Sequence, residues 1–453
     1  MMGPKQMAQG ALFYEFSIED HVPDDHVLRR IDRFVDLSDV REFMAPFYSS
    51  TGRPSVDPEL MIRMLIVGYC MGIRSERLLC EDVHLNLAYR WFCRLDLGDP
   101  VPDHSTFSKN RHGRFRDSDL FRRLFEQALE RCIAEGLVGG DQFGVDASLI
   151  KADASRYTKV EAADWSPPSN ATRAVREYLD TLDDAAFSGA TPVKPKALSP
   201  ADPAARFTGA NGDRAFFAYS TNYLVDLENA VIVDVEATAP IRQAEAGAAR
   251  VMIERTKARF DLYPEMLAAD TAYGSADMLD WLVEDEGIEP HIPVFDKSER
   301  KDGAFPATEF VYDHKADEYA CPGGKALRPY WRNIAKDRPD FGKDGFKKYY
   351  ARKEDCAACA LKSKCTPRQT TRKIARSRYE GARQMARDIA KTDAYVSSSY
   401  ARKKVEMLFA HLKRIIGLDR LRLCGPNGAK DEFHLAAMVQ NLRKLARLVP
   451  KTA

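Results

Sequence analysis

Around Gly136, Gly139 and Gly140 the period of the apolar residues changes, and that change divides the chain. Ahead of it, apolar residues recur at helical spacing over residues 25–47, 57–94 and 119–135. Behind it, residues 143–150 (FGVDASLI) form a short β-prone run, and the period drops from 3.6 to 2. The front is therefore expected to be all helix and the back to contain a sheet.

Local signals sharpen the front half. Asp57 followed by Pro58 reads as an N-cap with proline at the first helical position, and Gly72 then Ser75 as a stop and restart. A third short helix is expected over residues 86–95. In residues 100–115 (PVPDHSTFSKNRHGRF) the prolines break that helix, and Asp103 or Ser105 can cap a new one carrying Lys109, Arg111 and Arg114. Helix, turn and basic helix suggest a helix-turn-helix-like DNA-binding unit. An ordinary helical domain with a polar surface is the competing reading.

In the back half, residues 160–214 are rich in Ala, Pro, Asp and Ser, and read as an irregular insertion with one helix over 171–182. Residues 215–225 and 230–237 read as a hairpin, 243–260 as a helix, 265–269 as a strand ending on Asp270, 275–286 as a helix and 288–295 as a strand. Strands followed by alternating helices and strands give a mixed α/β sheet with helices on both faces.

Composition adds limits. With 453 residues the chain can hold two or three domains, and its formal net charge of +1 announces no polyanion partner. The charge is uneven, however: residues 297–391 contain 24 Lys/Arg against 13 Asp/Glu, a hint of nucleic-acid contact. No charged-then-apolar leader opens the sequence, and no apolar run approaches the ~18–20 residues of a membrane span. Nine cysteines, an odd number, point to a reducing compartment and hence to a cytoplasmic protein. No Gly-rich phosphate loop is present, so nucleotide hydrolysis is not indicated.

Three acidic residues stand out by their surroundings. Asp146 lies within an apolar strand, where a carboxylate is costly without a partner or ligand; an edge strand with Asp146 facing water is the alternative. Asp270 closes its strand, at the end where α/β sheets build sites, and could instead cap the following helix. The third is Glu406, in residues 400–413 (YARKKVEMLFAHLK). Here Val405, Leu408, Phe409 and Leu412 form an apolar face, and Arg402, Glu406 and Lys413 share the opposite stripe. A solvated surface with an Arg–Glu pair would look the same. Three carboxylates brought together stay ionised only if cations hold them, and oxygen ligands suit Mg²⁺ or Mn²⁺. Two such ions would serve phosphodiester chemistry.

A second cluster is Cys321, followed by Pro322 and Gly323, with Cys356, Cys359 and Cys365 in the basic segment. It has the makings of a tetrahedral zinc site, although reduced, partly buried thiols would give the same pattern. Cys70, Cys80, Cys93, Cys132 and Cys424 are isolated in apolar helices and read as core.

FGVDASLIKADAS, LAADTAYGS and ARKKVEMLFAHLKRIIGLDRLR resemble the three acidic blocks of bacterial insertion-sequence transposases of the DDE class, and PVPDHSTFSKNR resembles the helical domain preceding their core. The resemblance implies a ribonuclease-H-like core in which Asp146, Asp270 and Glu406 hold two divalent ions, for hydrolytic cleavage at element ends and 3′-hydroxyl attack on target DNA. Arg402 and Lys413 match the basic positions flanking the family's glutamate, and Tyr273 and Gly274 the loop after its second aspartate. The family's tyrosine stands three residues before the arginine; here Ser399 holds that place and Tyr400 comes one residue late. Relatives carry similar cysteines. The resemblance divides the chain into a helical DNA-binding domain (1–136), the first part of the core (137–296), a basic cysteine-containing insertion (297–392) and the closing part of the core (393–453). Implied partners are duplex DNA, as inverted repeats and target, and a second copy of the chain. A non-catalytic DNA-binding remnant or repressor is the alternative.

Overall fold

A computed structural model describes residues 16–49, 51, 55–187, 195–209, 214–295, 304–331, 340–343 and 345–450. The front of the chain is helical: α1 (Ile18–His21), α2 (Val27–Asp32), α3 (Val40–Met44), α4 (Pro58–Met71), α5 (Glu76–Leu85), α6 (Leu87–Phe92), α7 (His104–His112) and α8 (Leu120–Ala134). There follow β1 (Gln142–Lys151), β2 (Val160–Glu161), α9 (Arg173–Asp180), β3 (Ala197–Leu198), β4 (Arg206–Thr208), β5 (Phe216–Asp226), β6 (Val231–Thr238), α10 (Arg242–Phe260), β7 (Met266–Ala268), α11 (Ala276–Asp280) and β8 (Glu289–His291). The basic segment forms β9 (Val311–Asp313), β10 (Glu318–Ala320), β11 (Ala326–Arg328), β12 (Phe346–Ala351), α12 (Lys353–Ala357), α13 (Lys362–Cys365), β13 (Lys373–Ser377) and α14 (Glu380–Ile389). The chain closes with α15 (Asp393–Arg414) and α16 (Pro426–Leu448).

The expected caps form. Asp57, Ser75, Asn86 and Asp103 each accept a backbone N–H at the start of α4, α5, α6 and α7, and Gly72 ends α4 at φ 72°. Where the sequence suggested helix over 25–47, the chain makes the short helices α2 and α3 joined by a turn in which the Asp36 carboxylate accepts the Ser38 N–H at 3.0 Å.

The chain divides into two compact units. One comprises the residues up to Gly139, Ala147–Leu262 and Lys404 onward; the other Gly140–Asp146 and Tyr263–Lys403. These units cut the chain differently from its sequence segments, because α16 is the spine of the first: α2, α4, α8, α9 and β6 all pack on it. A sequence reading that treats the N-terminal helices as self-contained misses this, since α16 stands some 300 residues later. Within the unit β5 pairs antiparallel with β4 and β6. Asn441 of α16 clasps β6, accepting the Ile232 N–H at 3.0 Å and donating to the Ile232 carbonyl at 2.8 Å. Glu432, fully buried on α16, accepts from the Arg422 and Leu423 amides at 2.6 and 2.7 Å and forms an ion pair with Arg74. A buried carboxylate is tolerable only with such partners.

The second unit holds two sheets. The opening residues of β1 pair parallel with β7, and β7 pairs parallel with β8. A separate antiparallel sheet runs β13-β12-β11-β10-β9. The two-residue period of Phe346–Ala351 and the aromatic ladder Tyr312, Tyr319, Tyr349 build its inner face. No helix among the described residues is long and apolar enough to cross a membrane.

Candidate active site

Asp146 and Asp270 each follow the paired stretch of β1 and β7. Gly144 pairs with Ala268 in the parallel ladder between β1 and β7. Two residues further along each chain stand Asp146 and Asp270, so both keep the parity of that pair and face the same side. Side chains of paired residues leave a sheet on the same side; Asp146 lies midway along β1, and Asp270 lies two residues past the end of β7. The apolar residues Val145 and Leu267 on the alternate parity are fully buried, which fixes the register.

The loop after Asp270 is built tightly. Asp270 caps the short turn Thr271–Tyr273, with Oδ1 accepting the Ala272 N–H at 2.7 Å, while Ser275 caps α11. Asp270 thus caps the short turn alone, and the helix that follows is capped by Ser275. Gly274 follows at φ −78°. A Cβ there would stand 2.0 Å from the Pro293 carbonyl oxygen and 2.9 Å from the Phe295 nitrogen, and Gly274 accepts the Phe295 N–H at 2.8 Å. This glycine is needed for close passage of the chain beyond β8.

Helix α15 carries the cationic partner. Its start is held to β8 by His291, whose Nδ1 lies 2.7 Å from the Ser398 hydroxyl and whose ring stacks on Tyr395. From there Arg402 reaches the Asp146 carboxylate, Nη1 to Oδ2 3.5 Å, with both side chains half-buried. Glu406 is one turn on, exposed, on the same stripe of the helix. That part of α15 is anchored within the first unit. Val405 and Leu412 are fully buried, Phe409 stacks on Tyr223 at 4.8 Å, and Gln440 donates to the Leu408 carbonyl at 2.9 Å. Lys404 donates to the Leu227 carbonyl at 2.6 Å. The apolar and polar faces of α15 are as the sequence periodicity predicts. Lys413 is half-buried, and burial pushes its ammonium below the usual lysine range, with Asp419 opposing and Lys151 adding to the shift.

The other basic residues separate. Lys109 is exposed on α7, and Arg114 bonds Ser55 at 2.9 Å and Asn110, with its guanidinium over the Tyr48 ring. Arg111, singled out in the sequence for DNA contact, is buried: it pairs with Glu76 at 3.0 Å and donates to the Tyr69 hydroxyl at 3.3 Å. It is a core cation, since it lies on the same face of α7 as Phe107, and its charge is spent on Glu76. Tyr400 is exposed, with Lys403 over its ring at 4.5 Å.

Sequence reasoning missed a cavity of about 720 Å³ in the first unit, lined by Arg30, Lys404, His411, Arg443, Lys444 and Arg447 among others. On α15 its lining residues Lys404, Leu408 and His411 lie opposite the stripe of Arg402 and Glu406. The signal was the run of basic residues on α16, which reads as a solvated face until α15 is placed beside it. Neither Asp146, Asp270 nor Glu406 is among its lining residues.

The four cysteines of the basic segment line one small cavity. Among the described residues no set of three or more His, Cys, Asp or Glu side chains is closed at metal-binding distance, either here or at the carboxylates.

Two regions match known family models. Residues 16–113 match a Transposase domain (DUF772), and residues 320–446 match a Transposase DDE domain. Both models describe transposase domains, and together they support an insertion-sequence transposase of the DDE class. The second match contains Arg402, Glu406, Lys413 and the four cysteines, whereas Asp146 and Asp270 fall between the two matched regions. No curated protein and no solved structure matches the chain. Family membership agrees with DNA as partner and with a divalent-metal nuclease class.

Proposed function

We propose that this transposase is catalytically competent, and that Asp146, Asp270 and Glu406 form its carboxylate triad in a ribonuclease-H-like core. The observation that supports the reading is the β1–β7 register, which leaves Asp146 and Asp270 on the same parity, each two residues beyond the last paired residues. Arg402 on Asp146 supports it, with Glu406 one turn further along α15. The donor set is all oxygen, the chemistry of a Mg²⁺ or Mn²⁺ site. When bound, two such ions supply Lewis-acid stabilisation of the charge that builds on a scissile phosphodiester.

The chain's own residues do the positioning. Asp270 is oriented by its bond to the Ala272 amide, and Asp146 by the Arg402 guanidinium. Arg402 and Lys413, on the stripe of Glu406, offer N–H donors to the phosphates flanking the cleaved bond. Lys109 and Arg114 on and beside α7 contact end DNA; Arg111 takes no part. The reaction is hydrolytic cleavage at the element's ends, then strand transfer by the freed 3′-hydroxyl, carried out by paired copies of the chain in the cytoplasm on nucleoid DNA.

The test uses DNA carrying the inverted repeats that flank the gene, with Mg²⁺ or Mn²⁺. Wild type should nick at the repeat boundary and join pre-cleaved ends to a target plasmid. Asp146→Asn, Asp270→Asn and Glu406→Gln should each abolish nicking while end-DNA binding survives. Cleavage by the Glu406→Gln protein would remove Glu406 from the triad, and binding without cleavage by wild type would favour the repressor reading.

A further inference from the structure

The sheet β9–β13 is poorly provided with core. Its strands are three to six residues long, and its buried cluster is Phe310, Tyr319, Leu327, Tyr349, Ala351, Cys356 and Ile374. Modules this small ordinarily need a disulfide or a structural metal to hold their fold. All nine cysteines are free thiols. Four of them, Cys321, Cys356, Cys359 and Cys365, surround one cavity of about 30 Å³ at the edge of this cluster. Cys365 lies within electrostatic reach of the other three. A Cβ on Gly323 would stand 3.5 Å from the Cys359 sulfur and 3.6 Å from the Cys321 sulfur, so two sulfurs from distant segments flank one point.

The backbone around Cys321 is shaped for a thiolate. Between β10 and β11 the chain turns through Cys321-Pro322-Gly323-Gly324-Lys325, with Gly324 at φ +71° and its N–H donating to the Cys321 carbonyl at 2.8 Å. That turn aims the Lys325 N–H at the Cys321 sulfur, 3.3 Å away. An amide directed at sulfur stabilises the thiolate form that binds metal. Across the cavity, Cys356 on α12, Cys359 just after it and Cys365 at the end of α13 come from one tight helical segment.

We propose that Cys321, Cys356, Cys359 and Cys365 bind one structural zinc ion, which staples the β10–β11 turn to the α12–α13 segment. Four soft sulfur donors, with Asp355 the one carboxylate among the lining residues, select zinc over the hard cations of an all-oxygen site. The thiols must draw inward by side-chain rotation to close the set, since they do not yet stand at ligand distances. Each binding event releases the thiol protons to solvent as the zinc–sulfur bonds form. The proposal is independent of catalysis: a zinc module and an inactive carboxylate site could coexist.

The experiment uses the full chain, purified without chelators. Elemental analysis should find one zinc per chain, and Co²⁺ replacing it should give the intense visible bands of a tetrahedral sulfur site. Mass-spectrometric mapping of thiol alkylation should show Cys321, Cys356, Cys359 and Cys365 protected with metal and reactive after its removal, while exposure of Cys424 does not change. Cys359→Ser should lose the cobalt spectrum; should that variant fail to fold, the wild-type cobalt titration and alkylation map decide. Substoichiometric metal with the four thiols equally reactive in both states overturns the proposal. So does an intact mass showing them paired as disulfides.

Discussion

Replacing Gly274 by alanine tests whether the loop after Asp270 is set by close passage of its own chain. Gly274 has φ −78°, an angle any residue adopts, so alanine meets no backbone penalty. On conformational entropy alone the change would stabilise the protein by about 0.4–1 kcal/mol. The added Cβ, however, would begin 2.0 Å from the Pro293 oxygen, and contacts below 3.0 Å are essentially never found. One strand of chain must therefore retreat by about 1 Å, and neither contact atom belongs to a flexible side chain. Overpacking of this kind costs about 1–3 kcal/mol. The retreat is transmitted to Asp270, four residues away in the same tight turn, and a 1 Å misplacement of a reacting group costs roughly 10²-fold in rate. Gly274→Ala should accordingly unfold at lower urea concentration and nick end DNA about two orders of magnitude more slowly, with end binding retained. A variant as stable as wild type or more so, cutting at the wild-type rate, would refute the reasoning and show that the loop tolerates a side chain.

Two further predictions concern the spine of the first unit. Glu432→Gln removes the counter-charge of the buried Arg74 and turns an amide nitrogen toward it, so stability should fall by about 3–5 kcal/mol in denaturant titration; a loss under 1 kcal/mol would show that water reaches the site. Asp431, whose Oδ2 is buried with no hydrogen-bond partner, has its carboxyl pushed from the ordinary 3.8 up to about 8, chiefly by burial and against the pull of Arg116 and Arg111. Between those values the folded chain holds a proton that the unfolded chain has released, so stability falls as pH rises from about 4 to 8. Asp431→Asn should flatten that slope and raise stability at pH 8; equal pH dependence in both proteins would mean that Asp431 ionises normally.

The sequence by itself determined the local structure. Helix starts at Asp57, Ser75, Asn86 and Asp103 were legible because caps are satisfied within four residues. The faces of α15 were legible because helical period alone sorts Val405 and Leu412 from Arg402 and Glu406. The acidic candidates were legible because a carboxylate in an apolar strand is costly and so conspicuous.

What only the tertiary structure decided is pairing across distance. The parallel pairing of β1 with β7 leaves Asp146 and Asp270 on one parity, although the strands are separated by the hairpin and α10. Arg111 looked like a surface cation for DNA until Glu76 and Tyr69 were placed against it, because a basic residue's fate depends on which face its neighbours cover. Gly274 was only a match to a family loop until the Pro293 carbonyl arrived beside it. The four cysteines looked irregularly spaced because spacing along a chain does not measure distance across a fold, and one hairpin turn and two short helices bring them to one cavity. Caps and periodicity are short-range and written into a few adjacent residues; register, burial of charge and convergence of ligands depend on packing between segments that no local window contains.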